Sequence, residues 1–171
     1  MTEGFGASRF RPDLPLRVVA VPTASVMIAS LLPALPMIVS DPLLPPFGFL
    51  VFISWRLIRS DVWPLWVGIP LGFWDDLMSG QPVGSAVALW TAVMLAMDGL
   101  DRRVVWRDYR IDWVIGGFAL AFVLVAGALL ARAGDAADIV RLVGPQFGIA
   151  LFLLPLAMYL VGWLDRWRLR R

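Results

Sequence analysis

Asp75 and Asp76 stand side by side at the end of an apolar run, within Gly-Phe-Trp-Asp-Asp-Leu-Met-Ser-Gly-Gln-Pro-Val-Gly at 72–84. Adjacent carboxylates can exchange protons, attract a cation or cap a helix. The chemistry available beyond them is narrow. The 171 residues include no cysteine and no histidine, which removes the usual ligands of zinc, haem and iron–sulfur centres and the commonest general base. No metal or cofactor is expected, and no nucleophile–base pair is recognisable. The sequence therefore reads as non-enzymatic.

The elements that carry these acids follow from composition. Apolar residues make up 60% of the chain and charged residues 16%, with a mean hydropathy of +0.77, whereas soluble domains average about 25% charged residues. At about 20 apolar residues per crossing, membrane spans consume most of the sequence. The expected fold is all-α: a polytopic membrane protein, one integral domain over 1–171, built as a compact bundle of about six transmembrane helices. Spans are expected at 18–39, 43–58, 62–78, 82–100, 113–131 and 142–164, with cytoplasmic tails at 1–17 and 165–171. Residues 1–17 hold two acids, two prolines and no cleavage site after a short apolar core, so they are not read as a signal peptide. The connections at 40–42 and 79–81 are short enough to demand tight antiparallel hairpins. At the second of these Gly80 supplies backbone freedom, and Pro82 suits a first helical turn.

Arginine sets the orientation, because positive charge is retained on the cytoplasmic side. All fifteen basic residues are arginines. With the N-terminus inside, thirteen of them fall on inner segments, leaving only Arg132 and Arg141 outside. Both termini are therefore expected in the cytoplasm. Trp55, Trp63, Trp66, Trp106, Trp113, Trp163 and Trp167 are expected at the inner interface, where amphipathic rings anchor helices. The high calculated pI of 9.9 is not a nucleic-acid signal, because the arginines are distributed beside spans.

Small residues suggest where helices meet, since backbones associate in lipid by close approach. Gly84, Ala88, Ala92 and Ala96 recur every four residues along the fourth span, giving one smooth face for a neighbour, with Leu89 pointing outward. Gly68–Gly72 and Gly144–Gly148 are further pairs of this type. Prolines at 22, 33, 36, 45, 46, 70, 145 and 155 lie in or beside spans. Their freed carbonyls need partners from neighbours or water.

Asp75 lies twelve residues beyond Trp63, about 18 Å along a helix in a hydrocarbon layer about 30 Å thick. A charge at the bilayer centre costs up to ~3 kcal/mol on insertion scales, so these acids should face protein or water. Asp76 precedes the fourth span, whose unpaired amides and positive dipole end suit a carboxylate. A thinned bilayer or an early helix end would instead leave both acids as ordinary outer-edge residues.

The segment Asp76-Leu77-Met78-Ser79-Gly80-Gln81-Pro82-Val83-Gly84 resembles the Asp-Leu-x-Ser-Gly-x-Pro-x-Gly turn of the rod shape-determining protein MreD family. It is followed, as in that family, by an apolar helix closed by arginines, here Arg102-Arg103. Leu44-Pro45-Pro46-Phe47 with Ser54-Trp55-Arg56 resembles the family's second span, and size and topology agree over nearly the whole chain. The doubled acid and Asp98 depart from the common pattern. Asp76 aligns with the turn and is taken as the family's acid.

The resemblance implies a non-enzymatic scaffold of the bacterial cell-elongation complex in the inner membrane. Its implied partners are an MreC-like protein, a RodA-type glycosyltransferase, a class B penicillin-binding protein, the MreB cytoskeleton and membrane lipids. Asp75, Asp76, Ser79, Gly80, Pro82, Gly84, Ala88, Ala92 and Ala96 are the structural or partner-binding candidates. The alternative is a small-molecule-binding subunit of an energy-coupling-factor (ECF) transporter, a compact six-helix fold to which the MreD family is thought to be related. A ligand pocket there would have to draw on Asp75, Asp76, Gln146, Ser85 and Thr91.

Overall fold

Pro45 and Pro46 have no amide to give a helix interior, so they suit the positions at or just before a helix start. The second helix does so, with the amide of Leu50 bonding to the Pro46 carbonyl at 2.9 Å. The computed structural model describes residues 16–34, 44–80, 82–102, 108–131 and 135–169. Among these every regular element is helical: α1 (Leu16–Leu31), α2 (Phe47–Ile58), α3 (Gly68–Ser79), α4 (Ser85–Asp101), α5 (Tyr109–Leu130) and α6 (Ala136–Leu169). Short 3₁₀ turns follow α1 at Leu32–Ala34 and precede α3 at Leu65–Val67. The tail at 1–15, the end of the first expected span at 35–39, the connection at 40–42, and Arg103, Trp106, Arg107, Arg132, Arg170 and Arg171 lie outside the described residues.

The six helices coincide in order with the six expected spans, but several boundaries move. The second is shorter than expected: α2 has twelve residues, about 18 Å of helix. Nine of its residues are buried, because α1, α5 and α6 pack around it. α6 is longer than expected and continues through Pro145 and Pro155.

The core is aromatic. Trp90 of α4 stacks on Phe52 with ring centroids 4.7 Å apart, and Trp63 stacks on the same phenylalanine at 5.4 Å. Offset stacking of this kind adds about 0.5–1.5 kcal/mol per pair beyond the area buried. Trp55 and Trp63 are therefore core residues and not the interfacial anchors expected; Trp66, Trp113, Trp163 and Trp167 are exposed.

The small-residue expectation for α4 is corrected. Ala88, Ala92 and Ala96 are exposed, whereas Leu89 is buried. The inward face of α4 carries the bulky residues Leu89, Trp90, Val93, Met94 and Met97, with Trp90 packed on Phe49 and Phe52 of α2. Close approach to α4 comes from α3 instead. A Cβ on Gly72 would lie 2.7 Å from the Val87 amide nitrogen, and one on Gly68 would lie 3.0 Å from that of Thr91. The Gly68–Gly72 pair is thus a real contact. Gly144 and Gly148 meet nothing within 4 Å.

Two helices, Tyr109–Leu130 and Ala137–Leu169, are long and apolar enough to cross a membrane. Only 28% of the most apolar window of each is buried. Side chains such as Phe118 and Phe152, 74% and 82% exposed, point away from the core.

Candidate functional site

The turn between α3 and α4 is built by two glycines and one acid. Gly80 ends α3 in the left-handed region at φ 68°, and Gly84 precedes α4 at φ 97°; only glycine adopts both at low cost. The chain thereby folds back within a few residues. This brings Asp76, one turn before the end of α3, onto the first turn of α4. The Asp76 carboxylate accepts hydrogen bonds from the amides of Gly84 at 2.8 Å, Ala86 at 2.8 Å and Val87 at 3.4 Å, and from the Ser85 hydroxyl at 3.0 Å. It acts as a helix cap supplied from eight or more residues upstream. At 2% exposure, the charge is held by these donors and by the positive end of the α4 dipole in place of water.

Pro82 does not open the helix. It lies three residues before Ser85, and its carbonyl accepts the Ser85 amide at 3.0 Å, so it closes a turn that precedes α4. Ser79 stands at the end of α3 with a buried hydroxyl that makes no hydrogen bond among the described residues.

Asp75 takes a different direction. Its Oδ1 and the Ser30 Oγ of α1 crowd the same point on α2: a Cβ on Gly48 would lie 2.1 Å from the serine oxygen and 2.6 Å from the carboxylate oxygen. Glycine at 48 is what allows the three helices to meet there. Neither Ser30 nor Gly48 was a candidate from sequence; the only signal was a serine inside an apolar run and a glycine just after Pro45-Pro46-Phe47.

A second polar cluster lies at the opposite end of the bundle. Arg56, 3% exposed, pairs with Asp101 at 2.7 Å. Asp165 receives Arg59 at 3.2 Å and Arg168 at 2.6 Å. Arg168 also donates to the Val18 carbonyl and lies 4.9 Å over the Trp55 ring, and the Trp55 indole donates to Ser25 at 2.8 Å. From sequence these arginines serve as topology signals, with Arg56 at the inner end of the second expected span and Arg59 just beyond it. The overlooked sign was Asp101 and Asp165, acids interleaved with the arginine clusters. Asp98, the departure from the family pattern, pairs with Arg102 at 2.6 Å on the surface.

The groups named for a small-molecule pocket do not converge. Asp76 and Ser85 bond to each other, Asp75 faces α1 and α2, and Thr91 lies where Gly68 meets α4. Gln146 stands on α6, whereas α3 packs on α1 and α4. No group of three or more potential metal-ligating side chains occurs among the described residues. No family model matches the chain, and no curated protein or solved structure matches it.

Proposed function

We propose that this chain is a six-span scaffold subunit of the bacterial cell-elongation complex, held in the inner membrane with both termini in the cytoplasm and acting without catalysis. The observation that carries the reading is the Asp76 cap. The segment that resembles the MreD family, 76–84, uses its acid and two glycines to fix one helix against the next. A carboxylate already committed to several donors is poorly placed to work as a base.

Spanning is supported by the alternation of helix ends. Ser30, Gly48 and Asp75 meet at one end of the bundle, with Asp76 and Gly84 beside them. Val18, Arg59, Asp165 and Arg168 meet at the other, where Arg56 also pairs with Asp101. α1 to α4 therefore run up and down in turn. The arginine-rich end is the cytoplasmic one by the positive-inside rule. The outward apolar surface of α5 and α6 belongs against lipid.

The test replaces the native gene with Asp76→Leu and Asp76→Asn variants and follows protein level, co-purification with an MreC-like partner, and cell shape. A scaffold loses the complex and gives rounded cells with Asp76→Leu, independently of any added vitamin. Normal assembly and rod shape with failed uptake of a small solute would replace this reading with the transport-subunit one.

A further inference from the structure

α5 and α6 are not flush along their outer side. Between them runs an open groove of about 540 Å³, within the ~300–1,000 Å³ typical of ligand sites. Its walls are Val114 on α5 and Leu151, Phe152 and Pro155 on α6; Tyr109, Arg110 and Trp113 line it in the first turns of α5. The lining is apolar apart from Arg110 and the two amphipathic rings, which all come from the first turns of α5.

That asymmetry matches a molecule with an apolar tail and an anionic head. Arg110 is exposed and has no acidic partner among the described residues, whereas Arg56, Arg59, Arg102 and Arg168 each pair with an aspartate. Asp108 and Asp112 are its acidic neighbours in sequence; Asp112 has an interaction of its own, and over 103–112 three arginines outnumber these two acids. The bulky walls also disfavour a second helix, which associates in lipid through small residues. Exposed tyrosine and tryptophan beside the arginine suit the depth of a phospholipid headgroup.

We propose that this groove holds one anionic phospholipid of the cytoplasmic leaflet, its phosphate on Arg110 and an acyl chain along Val114, Leu151 and Phe152. The inference rests on the membrane reading above. The full chain, purified in a neutral detergent and exchanged into bilayer discs, is examined by native mass spectrometry after equilibration with phosphatidylglycerol or phosphatidylcholine. The wild type should retain phosphatidylglycerol in preference by about five-fold, the contribution of one arginine at an anionic surface. Arg110→Gln should abolish the preference, Arg110→Lys should keep it, and Arg141→Gln, at the other end of the bundle, should leave it unchanged. Val114→Trp should reduce retention of both lipids by filling the groove. Equal retention of the two lipids by the wild type, an unchanged preference in Arg110→Gln, or a lipid-free dimer cross-linked through Trp113 would overturn the site. Recovery of the chain in the soluble fraction of lysed cells would overturn the membrane reading itself, which separates the two failures.

Discussion

Arg168 donates to the carbonyl of Val18, the very group that Pro22, four residues on in α1, leaves without its helical amide. A proline in a helix interior removes the bond to the carbonyl four residues back, and in an apolar setting that carbonyl must be satisfied from elsewhere. The same guanidinium holds Asp165 and covers Trp55. One arginine thus ties the end of α6 to the starts of α1 and to α2.

Lysine cannot reproduce a planar fork that serves a carboxylate, a carbonyl and a ring face together. Arg168→Lys should destabilise the protein by about 1–3 kcal/mol, measured by denaturation in detergent. Pro22→Ala returns an amide to the Val18 carbonyl and should lessen that cost. The double-mutant coupling should fall within about 0.5–3 kcal/mol, and strictly additive effects would remove the carbonyl from the account.

At the other end, Asp76→Leu leaves the amides of Gly84 and Ala86 without their acceptor, at about 1–3 kcal/mol for each donor that water does not reach. Asp76→Asn keeps an acceptor and should cost less. Thermal unfolding of the purified variants should rank wild type above Asn and Asn above Leu; equal stability of the two variants would show that water reaches these amides.

The contact between α3 and α4 predicts a contrast among glycines. A Cβ on Gly72 meets backbone atoms at 2.7 to 2.8 Å, which cannot swing aside, so Gly72→Ala should cost about 1–3 kcal/mol. Gly144→Ala and Gly148→Ala face open space and should change stability by no more than about 0.5 kcal/mol. Ala88→Leu and Ala92→Leu, on the exposed face of α4, should leave stability intact and act, if at all, on co-purification of a partner.

Orientation is open to reporter fusions. Junctions after Arg103 and Arg171 should report cytoplasm, and junctions after Ser79 and Asp138 periplasm, as the thirteen-to-two arginine division requires. A periplasmic reading after Arg171 would overturn the six-span arrangement.

Residue order made the α3–α4 turn legible. Gly80 and Gly84 bracket a connection too short for anything but a hairpin, and Asp76 lies one turn before it, on course for the free amides beyond. Pairing between distant ends was not legible. Arg56 and Asp101 are 45 positions apart in the sequence, and nothing local tells that one guanidinium is buried while Arg102 is in solvent. The face of α4 was misread for a related reason. A four-residue repeat of small side chains identifies a stripe and not its direction, and here the bulky residues on the other side were needed to fill the centre.

The Asp76 cap also bears on the order in which the chain is made. Among the described residues every donor to its carboxylate comes from residues 84–87, downstream of the acid, so a nascent chain that stops at α3 leaves Asp76 without them. At about 5–20 residues per second, the last of these donors is synthesised roughly 0.5–2 s after Asp76. If the chain spans the membrane as proposed, α3 has reason until then to wait at the insertion machinery. The two helices should leave it as a pair, with the turn already closed.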